Sequence, residues 1–308
     1  MSPTSSAQPP APKVAEGSRR SHPPSLLRCV ERALRDHNLV PRGSTVLCAC
    51  SGGPDSTALL HALARLRDKF AFCLVAHGID HGLRDEASAE LSIAEALAQR
   101  LEVPFSTTKL ALRDGGNLQA RARAARLDAL AHVAADCGAR HIATAHTADD
   151  RAETFLLRLL RGAGPRGLAV LPATAPLGRD GITLIRPLLL ARRSDVMAHL
   201  KRHALAYASD PSNHNPRFAR VRVRKELLPL MAELSPGIVE HLCALAGILE
   251  NIEPAAELPP GFAPQKRAHW QAIDRAERLG RHQLTVRIKG GEDVLLDLPK
   301  VKPVLIHR

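Results

Sequence analysis

Hydrophobic positions in this chain switch between two periods. Four short apolar runs of strand length lie at residues 46–50, 70–76 (FAFCLVA), 103–110 and 141–145 (HIATA), and each is followed by a longer stretch in which apolar residues return every three or four positions. An amphipathic helix over residues 26–39, ending before Pro41, precedes the first run. The later helical stretches begin at Thr57, with Leu59, Leu63 and Leu66 on one face; cover 85–101, with Ile93, Leu97 and Leu101; cover 117–137, with Leu127, Leu130, Ala134 and Cys137 facing the core; and follow His146. This alternation predicts an α/β, doubly wound parallel sheet of Rossmann-like type, with helices on both faces. Right-handed crossovers put the strand ends along one rim, where open α/β sheets hold their ligands. Beyond Gly167 the pattern is irregular through Pro172, Pro176 and Gly178, then returns to order at ITLIRPLL and in a helix near 194–203. A helix over 237–252 and a hairpin, LTVRIKGGEDVLLDL, pivoting on Gly290 and Gly291, follow. The expected division is a disordered tail over 1–25, a main domain over 26–215, and a helical linker with a small, partly helical C-terminal region over 216–308.

The first run opens into CSGGPDS, which reads as an anion cradle at a strand-to-helix junction. Gly52 and Gly53 lack a Cβ, so the backbone can turn sharply and bring consecutive N–H groups to one phosphate. Ser51 and Ser56 add hydroxyls, and the following helix directs the positive end of its dipole at the same place. Asp55 would be repelled by a bare phosphate, which points to a Mg²⁺ ion between them. For an SGG tripeptide alone, an ordinary tight turn is the default. The flanking context reverses that preference. No Walker-type loop occurs, and the Gly162, Gly164, Gly167 triplet follows a helical run instead of a strand, so it reads as a helix stop with Pro165 preventing continuation.

Three further stretches reach the same rim. HGIDHGLR places His77, Asp80, His81 and Arg84 at the carboxyl edge of the second strand, where a polar loop lining the crevice is a better account than a metal site, since two histidines four apart with no helix to carry them form no known zinc spacing. In the helix over 117–137, Arg123 and Arg126 are three apart and share a face. They are either a solvated basic surface or arms over the cradle. The fourth strand empties into HTADDRAETFLLRLLRG, where His146 sits at the strand end, Asp149 caps the next helix, and Asp150 and Glu153 lie three apart on one helical face. Acidic residues in a first turn often only complement the dipole. A matched pair beside a strand-end histidine suggests a pocket for a cation. Downstream, Arg217, Arg220, Arg222, Arg224 and Lys225 form the densest basic cluster, fit for phosphates or for the exposed face of a connecting helix.

Composition adds partners and compartment. A net charge of +12 fits a polyanionic partner, though an arginine-rich proteome would give the same. Aromatic residues make up 3% of the chain, so Leu, Ala and Val must fill the core. The six cysteines show no C-x-x-C spacing, which fits a reducing, cytoplasmic setting. No apolar run approaches the roughly 18 residues that span a bilayer, so no membrane partner is expected.

Taken together, CSGGPDS, HGIDHGLR, NLQARARAARL, TAHTADDRAETFLLRLLRGAGPRGL and DPSN with its arginine cluster resemble the tRNA(Ile)-lysidine synthetases, in order from about Val46 to Pro229. The SGG-x-DS loop is shared by all N-type ATP pyrophosphatases; the TAHTADD-x-AETFLLRLLRG block is far more selective. The resemblance implies an adenine nucleotide alpha hydrolase-like fold, with residues 26–215 as the N-type ATP-pyrophosphatase catalytic domain. It implies ATP and Mg²⁺ as cofactors, and free L-lysine and an isoleucine tRNA with a CAU anticodon as partners, with a homodimer as a further expectation. ATP would adenylate the wobble cytidine, pyrophosphate would leave, and the ε-amine of lysine would displace AMP to give lysidine. By the same resemblance Ser51, Gly52, Gly53, Pro54, Asp55 and Ser56 bind ATP, with Asp55 holding Mg²⁺. Asp55, Arg126 and His146 are catalytic, Asp150 and Glu153 bind lysine, and Arg84, Arg123, Arg220, Arg222 and Arg224 bind tRNA. Leu127 stands where the family usually has Tyr, Val221 interrupts its usual Arg-Asn pairing, and residues 253–308 do not match the longer C-terminal domains of many members. A tRNA-thiolating relative would use cysteines, commonly a C-x-x-C. An inactive RNA-binding paralogue would have lost the loop serine, Asp55 or the acidic pair, and all are present.

Overall fold

A computed structural model describes residues 25–80, 86–110, 118–178, 181–208, 219–251, 275–276, 283–287 and 293–297. In chain order the first half comprises α1 (Leu26–Asp36), β1 (Thr45–Cys50), α2 (Pro54–Phe70), β2 (Cys73–Asp80), α3 (Glu86–Arg100), β3 (Phe105–Lys109), α4 (Leu118–Asp136), β4 (His141–Ala143) and α5 (Ala148–Leu160). The second half comprises α6 (Pro165–Leu168), β5 (Thr174–Leu177), β6 (Ile182–Ile185), α7 (Arg193–Arg202), α8 (Ala219–Arg222), a π-helical turn (Val223–Leu227), α9 (Leu228–Leu234), α10 (Ile238–Glu250), β7 (Gln283–Arg287) and β8 (Asp293–Asp297).

The six-stranded sheet has the order β3-β2-β1-β4-β6-β5. All pairings are parallel except β5 with β6. Strand alternation builds a core on each face: Val46, Cys48 and Cys50 of β1 pack with α1, α2 and α7, while Leu47 packs on the other side with Leu130 and Ala134 of α4. A third apolar cluster joins α5 to the helices after residue 219, through Phe155, Leu156, Val223, Leu228, Leu242 and Ala246. Chain order runs outward from β1 to β2 and β3, then returns to β4 on the opposite side of β1. The switch point of the sheet therefore lies between the ends of β1 and β4, where Cys48 pairs with Ala143.

Several boundaries differ from the sequence reading. Helix α2 starts at Pro54, not Thr57, with Gly53 as its N-cap and proline at the first helical position. Strand β2 starts at Cys73 and continues through Asp80, so His77 is a buried strand residue bonded to Ser106 Oγ at 2.8 Å instead of a rim residue. The irregular stretch after Gly167 contains β5, an edge strand that tolerates Pro176 because one side of it needs no ladder donor. Pro165 begins the short helix α6 besides ending the one before it. The hairpin of β7 and β8 is present, and its glycine turn lies outside the described residues. So do Arg84 and His81, and the tail except for Ser25. Among the described residues no single helix is long and apolar enough to cross a membrane.

Candidate active site

The glycine loop is held by its own polar groups. Gly52 adopts φ +76°, and a Cβ there would lie 2.0 Å from the Glu90 carbonyl oxygen, so only glycine fits. Gly53 is different, with φ −71° and nothing nearer to a built Cβ than Ser51 Oγ at 3.5 Å. Ser51 N–H donates to Ser56 Oγ (3.2 Å), Ser56 Oγ donates to the Gly53 carbonyl (3.0 Å), and Thr57 Oγ1 donates to the Gly52 carbonyl (3.3 Å). The start of α2 at Pro54 puts Asp55 in the first helical turn, facing out of the loop. Its Oδ2 lies 3.6 Å from Arg193, while its buried Oδ1 has no hydrogen-bond partner.

The other half of the site comes from the β4–α5 junction. Thr147, not Asp149, caps α5: its Oγ1 accepts from Asp150 N–H (3.3 Å), and Asp150 Oδ2 accepts from Thr147 N–H (3.0 Å), a closed capping box. Asp149 instead ties α5 to α7, accepting from the Arg193 N–H (2.7 Å) and from the Arg192 guanidinium (3.1 Å). Arg193 is thereby fixed with its side chain between Asp55 and Asp150, 3.6 and 3.8 Å away. Glu153 is 1% exposed. It accepts from Arg220 Nε (2.8 Å) and from Arg224 Nε and Nη2 (2.6 and 3.0 Å), and Arg220 also reaches Asp150 Oδ1 at 3.1 Å.

The basic cluster thus divides by helical period. Arg220 and Arg224, four apart, point inward onto the acidic pair, whereas Arg222 lies on the opposite side, exposed, and pairs with Glu226 at 2.8 Å. Expected as one set of phosphate contacts, the three do two different things. Arg123 is exposed and Arg126 half-buried. Both act electrostatically on His146 together with Arg186.

Environment separates the titrating groups. Burial, against the pull of Arg193, raises Asp55 to about 6. Burial also pushes Asp150 upward, but the Thr147 N–H bond and the charges of Arg220 and Arg193 outweigh it, and the net direction is down. Burial lowers His146 to about 4, helped by Arg186, Arg123 and Arg126 and opposed by Asp150, so its imidazole is neutral at pH 7. The orphaned Asp55 Oδ1 fits a divalent cation. The buried Nε of Arg193, whose Nη2 lies 3.6 Å from Asp55, has no hydrogen-bond partner and fits an anion beside that ion. Arg193, Arg192 and Arg186 were not singled out in the sequence. The available signal was the Arg-Arg pair directly before the helix that follows ITLIRPLL.

A parallel sheet whose switch point carries such a glycine turn at a helix N-terminus, with a carboxylate pair on the neighbouring helix, defines a PP-loop α/β protein. Residues 27–231 match the PP-loop domain family. A tRNA(Ile)-lysidine synthase from Symbiobacterium thermophilum is 40% identical over 237 residues, covering 74% of this chain and 48% of the relative. One from Novosphingobium aromaticivorans is 38% identical over 234 residues, covering 76% of this chain and 71% of the relative. Among solved structures, a U34-tRNA thiolase from Methanococcus maripaludis shares the fold, with a TM-score of 0.64 over 83% of this chain and 87% of its own at 16% identity. The chain belongs to the tRNA(Ile)-lysidine synthase family. It spans about half the length of the first curated relatives, 48% of one and 54% of another.

Two consequences are measurable. Glu153→Gln removes the buried charge that Arg220 and Arg224 share, and urea unfolding should show a loss of about 3–5 kcal/mol, as for a broken buried pair. Glu226→Gln, at a fully exposed pair, should leave the midpoint unchanged. Equal effects would contradict the burial contrast. For Asp55, a folded-state pKa raised above its unfolded value means that the native state binds the extra proton between about pH 4 and 6, so stability falls as pH rises through that window. Asp55→Asn, in chelated buffer, should be more stable than the parent at pH 7 by on the order of 3 kcal/mol, with the difference vanishing near pH 4. A variant that is less stable at pH 7 would reverse the sign.

Proposed function

We propose that this chain ligates lysine to the wobble cytidine of an isoleucine tRNA with a CAU anticodon, forming lysidine through an adenylated tRNA and releasing AMP and pyrophosphate. One observation carries the reading: Asp55 at the glycine loop and the Asp150–Glu153 pair on α5 are linked through shared guanidiniums, Arg193 between the two aspartates and Arg220 and Arg224 on the pair. A nucleotide's phosphates and an amino acid's cationic tail would then be neighbours. Family membership supports the reaction.

In this scheme Ser51, Gly52, Gly53, Pro54 and Ser56 hold the pyrophosphate half of ATP, with loop N–H groups and the start of α2 facing it. Asp55 would hold Mg²⁺, which supplies charge stabilisation to the departing pyrophosphate. Arg126, with Arg123 beside it, and Arg193 offer donors to the phosphates or to the tRNA. Asp150 and Glu153 seat the lysine ammonium. Arg220, 44% exposed, is the cation that yields its place, and Arg224, 26% exposed, stays to balance Glu153. The ammonium must lose a proton before it attacks. His146, lowered to about 4, takes a proton only weakly, so it serves by orienting the reactants through its ring nitrogens, one of which lies 3.1 Å from Thr144 Oγ1. Arg222 and Arg84 would meet tRNA phosphates. Residues 26–215 act as the catalytic domain, and the helices after 216 close the lysine pocket.

A thiolating activity is disfavoured by the cysteines. All six are free, Cys48 and Cys50 are buried in β1, and among the described residues no group of three or more converging ligand side chains includes a cysteine. Six free thiols also accord with action in the cytoplasm.

The test supplies Mg·ATP and labelled lysine with an isoleucine CAU tRNA transcript, and a methionine CAU tRNA as control. Label should enter the first alone, and Asp55→Asn should stop pyrophosphate release while tRNA binding persists. Label in neither, with tRNA-dependent ATP cleavage intact, assigns the protein to another modification. Pyrophosphate release at the parent rate in the variant removes Mg²⁺ from Asp55.

A further inference from the structure

Three histidines that the proposed reaction does not use meet where α2 packs on α7. His61 lies on α2, about two turns from the glycine loop, and His199 and His203 lie at the end of α7. His61 and His199 are 8% and 4% exposed, while His203 is open to solvent. We propose that His61, His199 and His203 form a binding site for a transition-metal ion of borderline softness, Zn²⁺ foremost, with solvent completing its coordination.

Three geometric facts support it. His199 and His203 are four apart, and the His203 N–H still donates to the His199 carbonyl at 3.1 Å, so the turn between them remains helical and both rings share a face. That is a recurrent histidine spacing at zinc sites. The third imidazole comes from another helix, and one ligand nitrogen from each ring lies within 4.8 Å of the other two. His61 Nδ1 and His199 Nε2 are already 2.9 Å apart. Two nitrogens on a tetrahedral ion at about 2.0–2.1 Å stand roughly 3.3 Å apart, so the rings need to open by only a few tenths of an ångström. The accepting ring already carries its own proton on its distal nitrogen, so the donating ring only has to shift the shared proton to its own distal nitrogen, which frees both lone pairs. Three imidazoles leave an open position, and exposed His203 provides the way in.

The opposing force is also visible. The positive charges of Arg65, Arg100 and Arg202 act on these rings and weaken any cation there. Three rings packed edge-on or tilted with centroids 4.5 to 4.9 Å apart, two of them hydrogen-bonded to each other, would need no ion. The convergence of lone-pair atoms from two helices, with two of three rings buried, favours the metal. A bound ion would fasten α7, whose first turn carries Arg193, to α2, whose first turn carries Asp55.

The experiment titrates Co²⁺ into the full, untagged chain and follows the visible d–d absorption of a four-coordinate ion, with Zn²⁺ as competitor. The expected result is saturation at a single ion per chain, displacement by Zn²⁺, and a Zn²⁺-dependent rise in melting temperature. His203→Ala, at an exposed position, should weaken binding about tenfold or more without changing the metal-free melting temperature. His61→Gln should do the same to binding. His132→Ala, an exposed histidine on α4, should change nothing. No saturable spectrum in the parent chain, or equal affinity in His203→Ala, overturns the proposal.

Discussion

A carboxylate with 1% of its side chain exposed cannot stay ionised without compensation, and Glu153 is arranged so that it never lacks it. Arg224 meets it with two donors and Arg220 with one. The hydrogen bond to Glu153 raises the Arg224 pKa, so the pair holds its charges together. Compensation has a structural cost: the helix after residue 219 must pass directly over α5. Its apolar side does so by packing Val223 and Leu228 against Phe155 and Leu156. The π-helical turn over Val223–Leu227 falls where Arg224 leaves the backbone, and one extra residue per turn re-aims side chains without ending the helix. Arg151, buried one residue from Asp150, repeats the arrangement by pairing with Glu250 of α10.

That charged seam meets the glycine loop because of sheet topology. β1 and β4 are neighbours in space though three elements of βα structure apart in sequence, and each delivers its helix N-terminus to the same crevice. Short backbone bonds fasten the corner: Ala148 N–H to the Ala191 carbonyl at 2.9 Å and Thr144 N–H to the Ile185 carbonyl at 2.9 Å. They join the β4–α5 turn to the β6–α7 turn, and Asp149 then fixes Arg193. Arg193 is therefore a hub whose position depends on both turns.

How much of this was legible in the sequence follows from range. Local patterns carried the strands, the helices and the loop, because period and glycine placement are properties of adjacent residues. The Asp55–Asp150–Glu153 convergence was legible too, since parallel crossovers leave little freedom in where strand ends go. What escaped depended on a partner far along the chain. Asp149 looked like a cap, but Thr147 precedes it and already closes the box with Asp150, which leaves Asp149 for Arg192 and Arg193 more than forty residues on. His77 looked like a rim residue because the strand was ended too early; Gly78 and Asp80 extend it with poor strand formers, and pairing with β3 overrides their propensity. The arginine cluster could have been divided by counting four residues from 220 to 224, yet which face turned inward needed the fold.

Two aspartates that share one arginine end with opposite shifts, and on the proposed reading that difference sorts their ligands. Asp150 spends one oxygen in the capping box and offers the other to guanidiniums, so every lone-pair direction meets a hydrogen or a positive charge. Asp55 has only a 3.6 Å approach to Arg193 and an oxygen with no partner, and burial dominates. A group in the first condition is satisfied by organic cations with directional N–H bonds, of which arginine and lysine are the available kinds. One in the second gains most from a small ion that binds the bare oxygen and reverses the burial penalty. On the proposed reading the same crevice therefore needs no conformational sorting of its two positive ligands: the hydrogen-bond deficit at Asp55 and the surplus at Asp150 already tell them apart.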